Sequence, residues 1–326
     1  MVEGGLHSQL NLILQLYKAM RIAFIHHQQA FLPEIPAYQQ YFSSKGITCE
    51  VIKPQELALL KPDVAWHFMG TDNQKKLPKQ VVIHEYTSAS VPPLAELKNL
   101  YKRWVNARPD YRLFLNQHVE QVFSFKDDVP YGFRDMGVPA AWLDNIPSPA
   151  KVYDFIYVGE WKHRGIHELL NVFTEGNLKN RMLLVVTRDY DDLLHQYRGY
   201  VNISFKGPLE HAHIRELICQ SKFAINFMPD KNPFNQQTST KLLEYAACRI
   251  PIITSDYEWV RSFQQQYGGR YFFLSDDLSG FAWENLQGFD FAFPDLSSWT
   301  WDQQIRRSGV NAFLENQFPG INLTAS

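Results

Sequence analysis

From Arg21 onward, short apolar runs alternate with stretches of helical period. RIAFIHH is an apolar run ending in polar residues, AYQQYFSSKG has helical spacing closed by Gly46, and ITCEVIK is apolar again. PDVAWHFMG and QVVIHEY read as two more strands, LAELKNLYKRWVNA as a helix and YRLFLNQ as a further strand. Apolar runs of roughly four to eight residues fit strands buried on both faces, and the 3.6-residue period between them fits covering helices. This alternation predicts a mostly parallel, doubly wound sheet.

The rhythm pauses at DNIPSPAKVYD, where Pro147, Ser148 and Pro149 cluster as at a linker. It then restarts, with DFIYVGEW, RMLLVVT, VNISFKG, KFAINFMP and IPIITSD as strands and HELLNVF, DDLLHQY, AHIRELICQ and TKLLEYAA as helices between them. The predicted fold class is α/β, with two Rossmann-like doubly wound domains. Ligands of open α/β sheets bind beyond the carboxyl ends of the strands, so the crevice between two such sheets is the expected site. The expected organisation is an extension over 1–19, domains over 20–148 and 149–300, and a terminal segment over 301–326. SSWTWDQQIRRSGVNAFLENQF reads as one late amphipathic helix, anchored by packing of Trp299 and Trp301. In the extension, Leu6, Leu10, Ile13, Leu14 and Tyr17 share a helical face. That fits a helix packed on the domain, a segment upstream of a natural start at Met20, or an interfacial helix.

Charge and cysteine usage narrow the class. A net charge of −2 gives no footprint of a general nucleic-acid binder. Cys49, Cys219 and Cys248 are odd in number and contain no CxxC, which fits three buried thiols in a reducing compartment rather than a disulfide frame or a zinc site. No stretch approaches the ~20 apolar residues of a membrane span. The opening residues are too polar for a signal peptide. The expected location is cytoplasmic.

The chemistry concentrates in PFNQQTSTKLLEYAACRIPIITSD, residues 233–256. Thr238, Ser239 and Thr240 precede an apolar helix, and hydroxyl side chains there satisfy orphan backbone N–H groups. Such a helix start carries partial positive charge and free amides, and so suits an anion. Lys241 and Glu244, three apart, share a face. A cation in the first turn opposes the macrodipole unless it holds an anion, which points to a phosphate; a plain Lys241–Glu244 surface pair is the alternative.

This stretch resembles the donor-site signature of retaining GT-B glycosyltransferases, notably glycosyltransferase family 4, and the resemblance extends from about Met20 to Phe318. It implies a first, acceptor domain, a second, donor domain, and a C-terminal helix crossing back to the first. Glu244 matches the family's ribose-binding Glu. Gln236 stands where the family usually has a Glu contacting the transferred sugar, with Asn235 beside it. YVGEWKHRGIHELL resembles the family's diphosphate-neutralising segment, with Arg164 before Gly165 as the matching cation; Glu160 replaces the family's earlier Arg, with Lys162 as a substitute. SFKGPLEHAHIRELI resembles the loop passing near the base, at Gly207 and Pro208, and FMPDKNPF resembles the stretch leading to the donor sugar. VVIHEYTSASVPP resembles a strand end bearing a functional His, here His84. HHQQAFLPEIP lacks the family's Gly-rich loop, leaving His26 and His27 as weak candidates, and His67 reads as scaffold.

Two further signals carry less. Asp189-Tyr190-Asp191 forms a DxD, a metal-holding pattern in another glycosyltransferase class, but it opens a helix that Asp191 or Asp192 could cap. LKNLYKRWVNARPDYR is either a solvated basic face or a contact for anionic lipid or a lipid-diphosphate acceptor.

The resemblance therefore implies a metal-independent, retaining glycosyltransferase that needs no cofactor beyond a nucleoside-diphosphate sugar as co-substrate. The expected acceptor is a glycan or lipid-linked hydroxyl in surface polysaccharide or glycolipid synthesis, with peripheral contact at the inner face of the membrane and no nucleic-acid partner. Arg164, Lys241 and His84 are the expected catalytic groups. Domain closure would limit hydrolysis. Two rivals stand beside it. A nucleotide-sugar-binding GT-B protein without turnover fits Gln236 and Glu160. A nucleotide-sugar epimerase would need an added acid/base pair in the cleft.

Overall fold

The computed structural model describes residues 20–26, 32–74, 76–90, 93–162, 164–231 and 234–324. The expectations for the first nineteen residues and for His27 fall outside them. The chain divides into two units: residues up to Asp135 with those from Asp302 onward, and Met136–Trp301.

The first unit is built on a parallel sheet of β1 (Arg21–Ile25), β2 (Thr48–Ile52), β3 (Val64–Phe68), β4 (Val81–Tyr86), β5 (Tyr111–Phe114) and β6 (Tyr131–Phe133), in the order β2-β1-β3-β4-β5-β6. β3, β4 and β5 are buried at every position, as continuous apolar runs require when both faces are covered. Phe24, Tyr38, Phe42 and Trp66 meet at the centre of its main core.

The second sheet holds β7 (Tyr153–Val158), β8 (Leu183–Val186), β9 (Ile203–Lys206), β10 (Ser221–Asn226), β11 (Ile252–Ser255) and β12 (Phe272–Leu274), all parallel, in the order β12-β11-β10-β7-β8-β9. The strand order reverses between β7 and β10, the switch point of a dinucleotide-binding sheet. β6 and β12 were not expected; YGF and FFL are three residues long, too short to show a period.

Two expectations need correction. The boundary falls after Asp135, not near 148, because the intervening residues pack with the second unit. Val138 and Trp142 are buried in its core, and Val138 bridges Thr300. The terminal helix is not continuous. A 3-10 turn Ser297–Trp299 leads to helices Trp301–Arg307 and Val310–Gln317. Ser308 and Gly309 separate the helices: Gly309 holds φ +74, and Ser308 O accepts from the Tyr111 hydroxyl at 2.7 Å. A Cβ on Gly132 would sit 1.9 Å from that carbonyl, so the chain passes there only against glycine. Trp299 and Trp301 are both buried. Cys219 and Cys248 are buried, whereas Cys49 is only half-buried. No helix among the described residues is long and apolar enough to cross a membrane.

Candidate functional site

A cavity of about 250 Å³ opens at the β7/β10 switch point. Its wall comes from the ends of β7 (Tyr157, Val158, Gly159) and β10 (Ile225, Asn226), from Glu160, Arg164 and Met228, and from Gln237, Thr238, Ser239, Thr240 and Lys241.

The helix Thr240–Ala247 starts at this wall because Ser239 is built as its cap. Ser239 Oγ accepts from Leu242 N at 3.3 Å and donates to Asn226 Oδ1 at 2.7 Å. Asn226 Nδ2 in turn donates to Thr254 Oγ1 and to the Tyr257 hydroxyl, both at 2.9 Å. One turn on, the Tyr245 hydroxyl accepts from Val158 N at 3.0 Å and ties the helix to the end of β7. These groups are all buried, so turning the helix start away from the cavity would strand several polar atoms. Asn226, Tyr245 and Tyr257 were missed in the sequence. The polar Asn ending the apolar run KFAIN was the only local signal.

Arg164 lines the same cavity and has no carboxylate within salt-bridge distance among the described residues. Its guanidinium lies 5.1 Å from the Phe234 ring centroid, and Nη1 touches Met228 Sδ. Gly165, at φ +67, turns the chain directly into the helix Ile166–Thr174 and leaves the Arg164 side chain at the cavity. Lys162, the other expected cation, goes elsewhere: its Nζ donates to Asp189 Oδ2 at 3.3 Å and it is not in the wall. The first aspartate of the DxD is thus a counter-ion to Lys162, and Tyr190, without a side-chain cap bond, holds the N-cap position expected for Asp191 or Asp192.

Lys241 and Glu244 do pair, but not as a surface pair. Lys241 Nζ donates to Glu244 Oε2 at 2.7 Å, and His211 Nε2 lies 3.0 Å from Oε1, while Glu244 is only 2% exposed. Burial pushes the Glu244 carboxyl up, but the Lys241 charge and the His211 contact outweigh it and hold it below the ordinary carboxylate value. His211 is itself stacked on Trp142, with centroids 4.7 Å apart. Lys241 lines the cavity, and Glu244 does not. His211 lies 33 residues from Glu244 in sequence, so no spacing rule could have paired them.

The remaining expected donor residues are not brought to this wall. Gln236 Nε2 donates to Glu258 Oε2 at 3.1 Å, and Asn235 Nδ2 to Asp230 Oδ1 at 3.0 Å. The carboxylate missing from position 236 is therefore present beside it, from Glu258 at the start of the helix Glu258–Tyr267. Gly207 is covered by the Tyr190 ring, which a Cβ would meet at 2.8 Å.

His84 belongs to the first unit, on β4, and is fully buried. Asp72 Oδ2 lies 3.3 Å from His84 Nε2 and 3.4 Å from His67 Nδ1. Asp72 is a charged neighbour of His84, whose two ring nitrogens are buried without a hydrogen-bond partner among the described residues. Burial pushes the His84 pKa down, with Asp72 opposing it. An unfolded histidine binds a proton near pH 6.5, whereas folded His84 stays neutral to lower pH. The unfolded chain then holds more protons, and stability falls as pH drops below about 6.5. Urea midpoints should therefore decrease from about pH 7.5 to about pH 5.5, and His84→Gln should flatten that decrease. An unchanged slope in the variant would show that His84 does not carry it.

Residues 160–278 match the family model described as glycosyl transferase-like. Among solved structures, the chain is similar to Anabaena Alr3699/HepE in complex with UDP and glucose, at 12% identity and a TM-score of 0.58, covering 93% of this chain and 97% of that one. It is similar to AviGT4, a glycosyltransferase involved in avilamycin A biosynthesis, at 12% identity and a TM-score of 0.55, covering 91% and 97%. It is also similar to a UDP-GlcNAc 2-epimerase of Methanocaldococcus jannaschii in complex with UDP-GlcNAc and UDP, at 11% identity and a TM-score of 0.52, covering 88% and 99%. No protein of curated function matches the sequence. The fold is that of the GT-B glycosyltransferases, two Rossmann-like units in one chain.

Proposed function

We infer that this chain, whose second unit matches a glycosyl transferase-like model over residues 160–278, is a glycosyltransferase that takes its sugar from a nucleoside-diphosphate donor. One observation carries the reading: an arginine without a carboxylate partner among the described residues and the capped start of a helix share one cavity at a strand-order switch point. That combination suits a diphosphate, by charge from Arg164 and Lys241 and by backbone amides from the first turn. Lys241, with three donors, can bridge the Glu244 carboxylate and a phosphate oxygen. Glu244 would then meet the ribose hydroxyls by displacing His211 or Lys241 from one oxygen. Gln236, its amide nitrogen held by Glu258, would offer its carbonyl to a sugar hydroxyl.

In the reaction, the bond from the sugar's anomeric carbon to the diphosphate oxygen breaks while a bond to the acceptor oxygen forms. Negative charge grows on the leaving diphosphate, where Arg164 and the helix start act without a metal ion. For retention, the leaving phosphate oxygen takes the acceptor proton on the same face. The acceptor would be a glycan or lipid-linked hydroxyl of a surface polysaccharide or glycolipid made in the cytoplasm. The specific observation favouring a binding protein without turnover is Glu160, a carboxylate at the cavity wall.

The test is calorimetry with UDP and GDP, followed by nucleotide release from UDP- and GDP-sugars with and without glycan acceptors. Glu244→Ala should weaken nucleotide binding by about 1–3 kcal/mol as buried hydrogen bonds are lost. Unchanged affinity in a folded variant removes Glu244 from the site. Tight donor binding without release under any acceptor selects the binding-protein reading.

A further inference from the structure

The helix Ala95–Val105 is built inside out. Its large apolar side chains are the exposed ones: Leu97 at 59%, Leu100 at 41%, Tyr101 at 60% and Trp104 at 81% of full exposure, preceded by Leu94 at 67%. Its one buried residue is polar, and polar Lys102 and Arg103 are half-buried beside Ala95 and Val105. Asn99 is buried, and its Oδ1 accepts from Ser90 N at 3.0 Å. Arg103 Nη1 donates to the carbonyls of Phe123 and Ser124 at 3.0 and 3.3 Å. Spacings of three and four place residues 94, 97, 100, 101 and 104 in one continuous stripe. A helix that only covers a sheet turns such a stripe inward. Leaving it in water forgoes about 25 cal/mol for each Å² of apolar surface, so an exposed stripe of this size marks a surface that something else covers.

Its surroundings indicate what that is. A cavity of about 390 Å³ beside the stripe is lined by Lys98, Tyr101 and Lys102 and by Thr71, Ser88 and Ser90. Ser90 Oγ is buried there with no hydrogen-bond partner among the described residues. Burial and the neighbouring Lys98 push the Lys102 ammonium below its usual value, as expected where two cations converge. Lysines are depleted from the cores of protein–protein interfaces, but they flank Trp and Leu on helices lying at a bilayer surface.

We propose that this face docks on an anionic phospholipid surface, with Leu97, Leu100 and Trp104 entering the headgroup–acyl boundary and Lys98, Lys102 and Ser90 receiving a lipid phosphate. The site lies in the first unit and stands whether or not the second unit transfers a sugar.

Flotation of the full chain tests it, with vesicles of phosphatidylcholine alone and of phosphatidylcholine mixed with phosphatidylglycerol. The chain should float with the mixed vesicles only, and less so as salt is raised. The double variant Leu97→Glu with Trp104→Glu should reduce binding by about tenfold or more, and Lys98→Glu by about fivefold. Both sites are well exposed, so circular-dichroism melting should be unchanged. Absence of binding, equal binding to both vesicle types, or binding insensitive to the double variant overturns the proposal. A concentration-dependent dimer abolished by the same variant also overturns it, and makes a second copy of the chain the occupant.

Discussion

Arg164→Ala is expected to slow sugar transfer by about 10²–10³-fold, the size of effect seen when one preorganised donor to a developing oxyanion is removed. The reason lies in what surrounds the side chain. Lys162 is engaged with Asp189 and Lys241 with Glu244, whereas Arg164 has no carboxylate partner among the described residues. In the proposed reaction, charge on the departing diphosphate would depend on Arg164 more than on its neighbours. Arg164→Lys should recover part of the rate, since the charge returns without the planar fork. Calorimetry separates this role from folding: affinity for the diphosphate nucleotide should drop while affinity for the nucleoside stays the same. Wild-type turnover in Arg164→Ala would refute the assignment.

The largest effect on stability should come from Arg134→Ala, a loss of about 3–5 kcal/mol in urea unfolding, because it leaves buried charges without a partner. Arg134 follows β6, Glu85 is next to last in β4, and Glu34 opens the helix Glu34–Ser43. All three are buried. The guanidinium binds Glu85 Oε1, approaches Glu34 Oε1 at 3.4 Å and donates from Nε to the Tyr38 hydroxyl at 3.2 Å. Glu85 Oε2 accepts from Trp66 Nε1 at 2.7 Å, so this one cluster also reaches β3. Removing the charges together, as Arg134→Met with Glu34→Leu and Glu85→Gln, should restore most of the stability, since Gln can still accept from Trp66. If Arg134→Ala alone unfolds at the wild-type urea concentration, the cluster contributes nothing to the fold.

What could be read in advance followed the range of the physics involved. Alternating apolar runs and helical periods depend on residues within one turn or one pleat, so both sheets, their parallel sense and the capped helix after Thr238 were legible. The Lys241–Glu244 pair was legible for the same reason, being three residues apart on one face. Its burial was not, because His211 and Trp142 come from distant segments. RMLLVVT was recognised as a strand, while YGF and FFL were passed over because three residues show no period. The tail looked like one helix because the Tyr111 hydroxyl and Gly132 that shape its break are far away in sequence.

The sequence by itself determined that the chain makes two nucleotide-type sheets, and that a hydroxyl-rich helix start with a cation follows β10. These are local consequences of patterning, capping and charge. Tertiary structure alone decided which cation stays available, since Lys162 meets Asp189 and Arg164 does not. It also decided which face of the helix Ala95–Val105 meets water, where Asn99 and Arg103 found polar partners inside and left Trp104 out. Both outcomes depend on competition among partners brought together only by folding, and no spacing along a single chain encodes that competition.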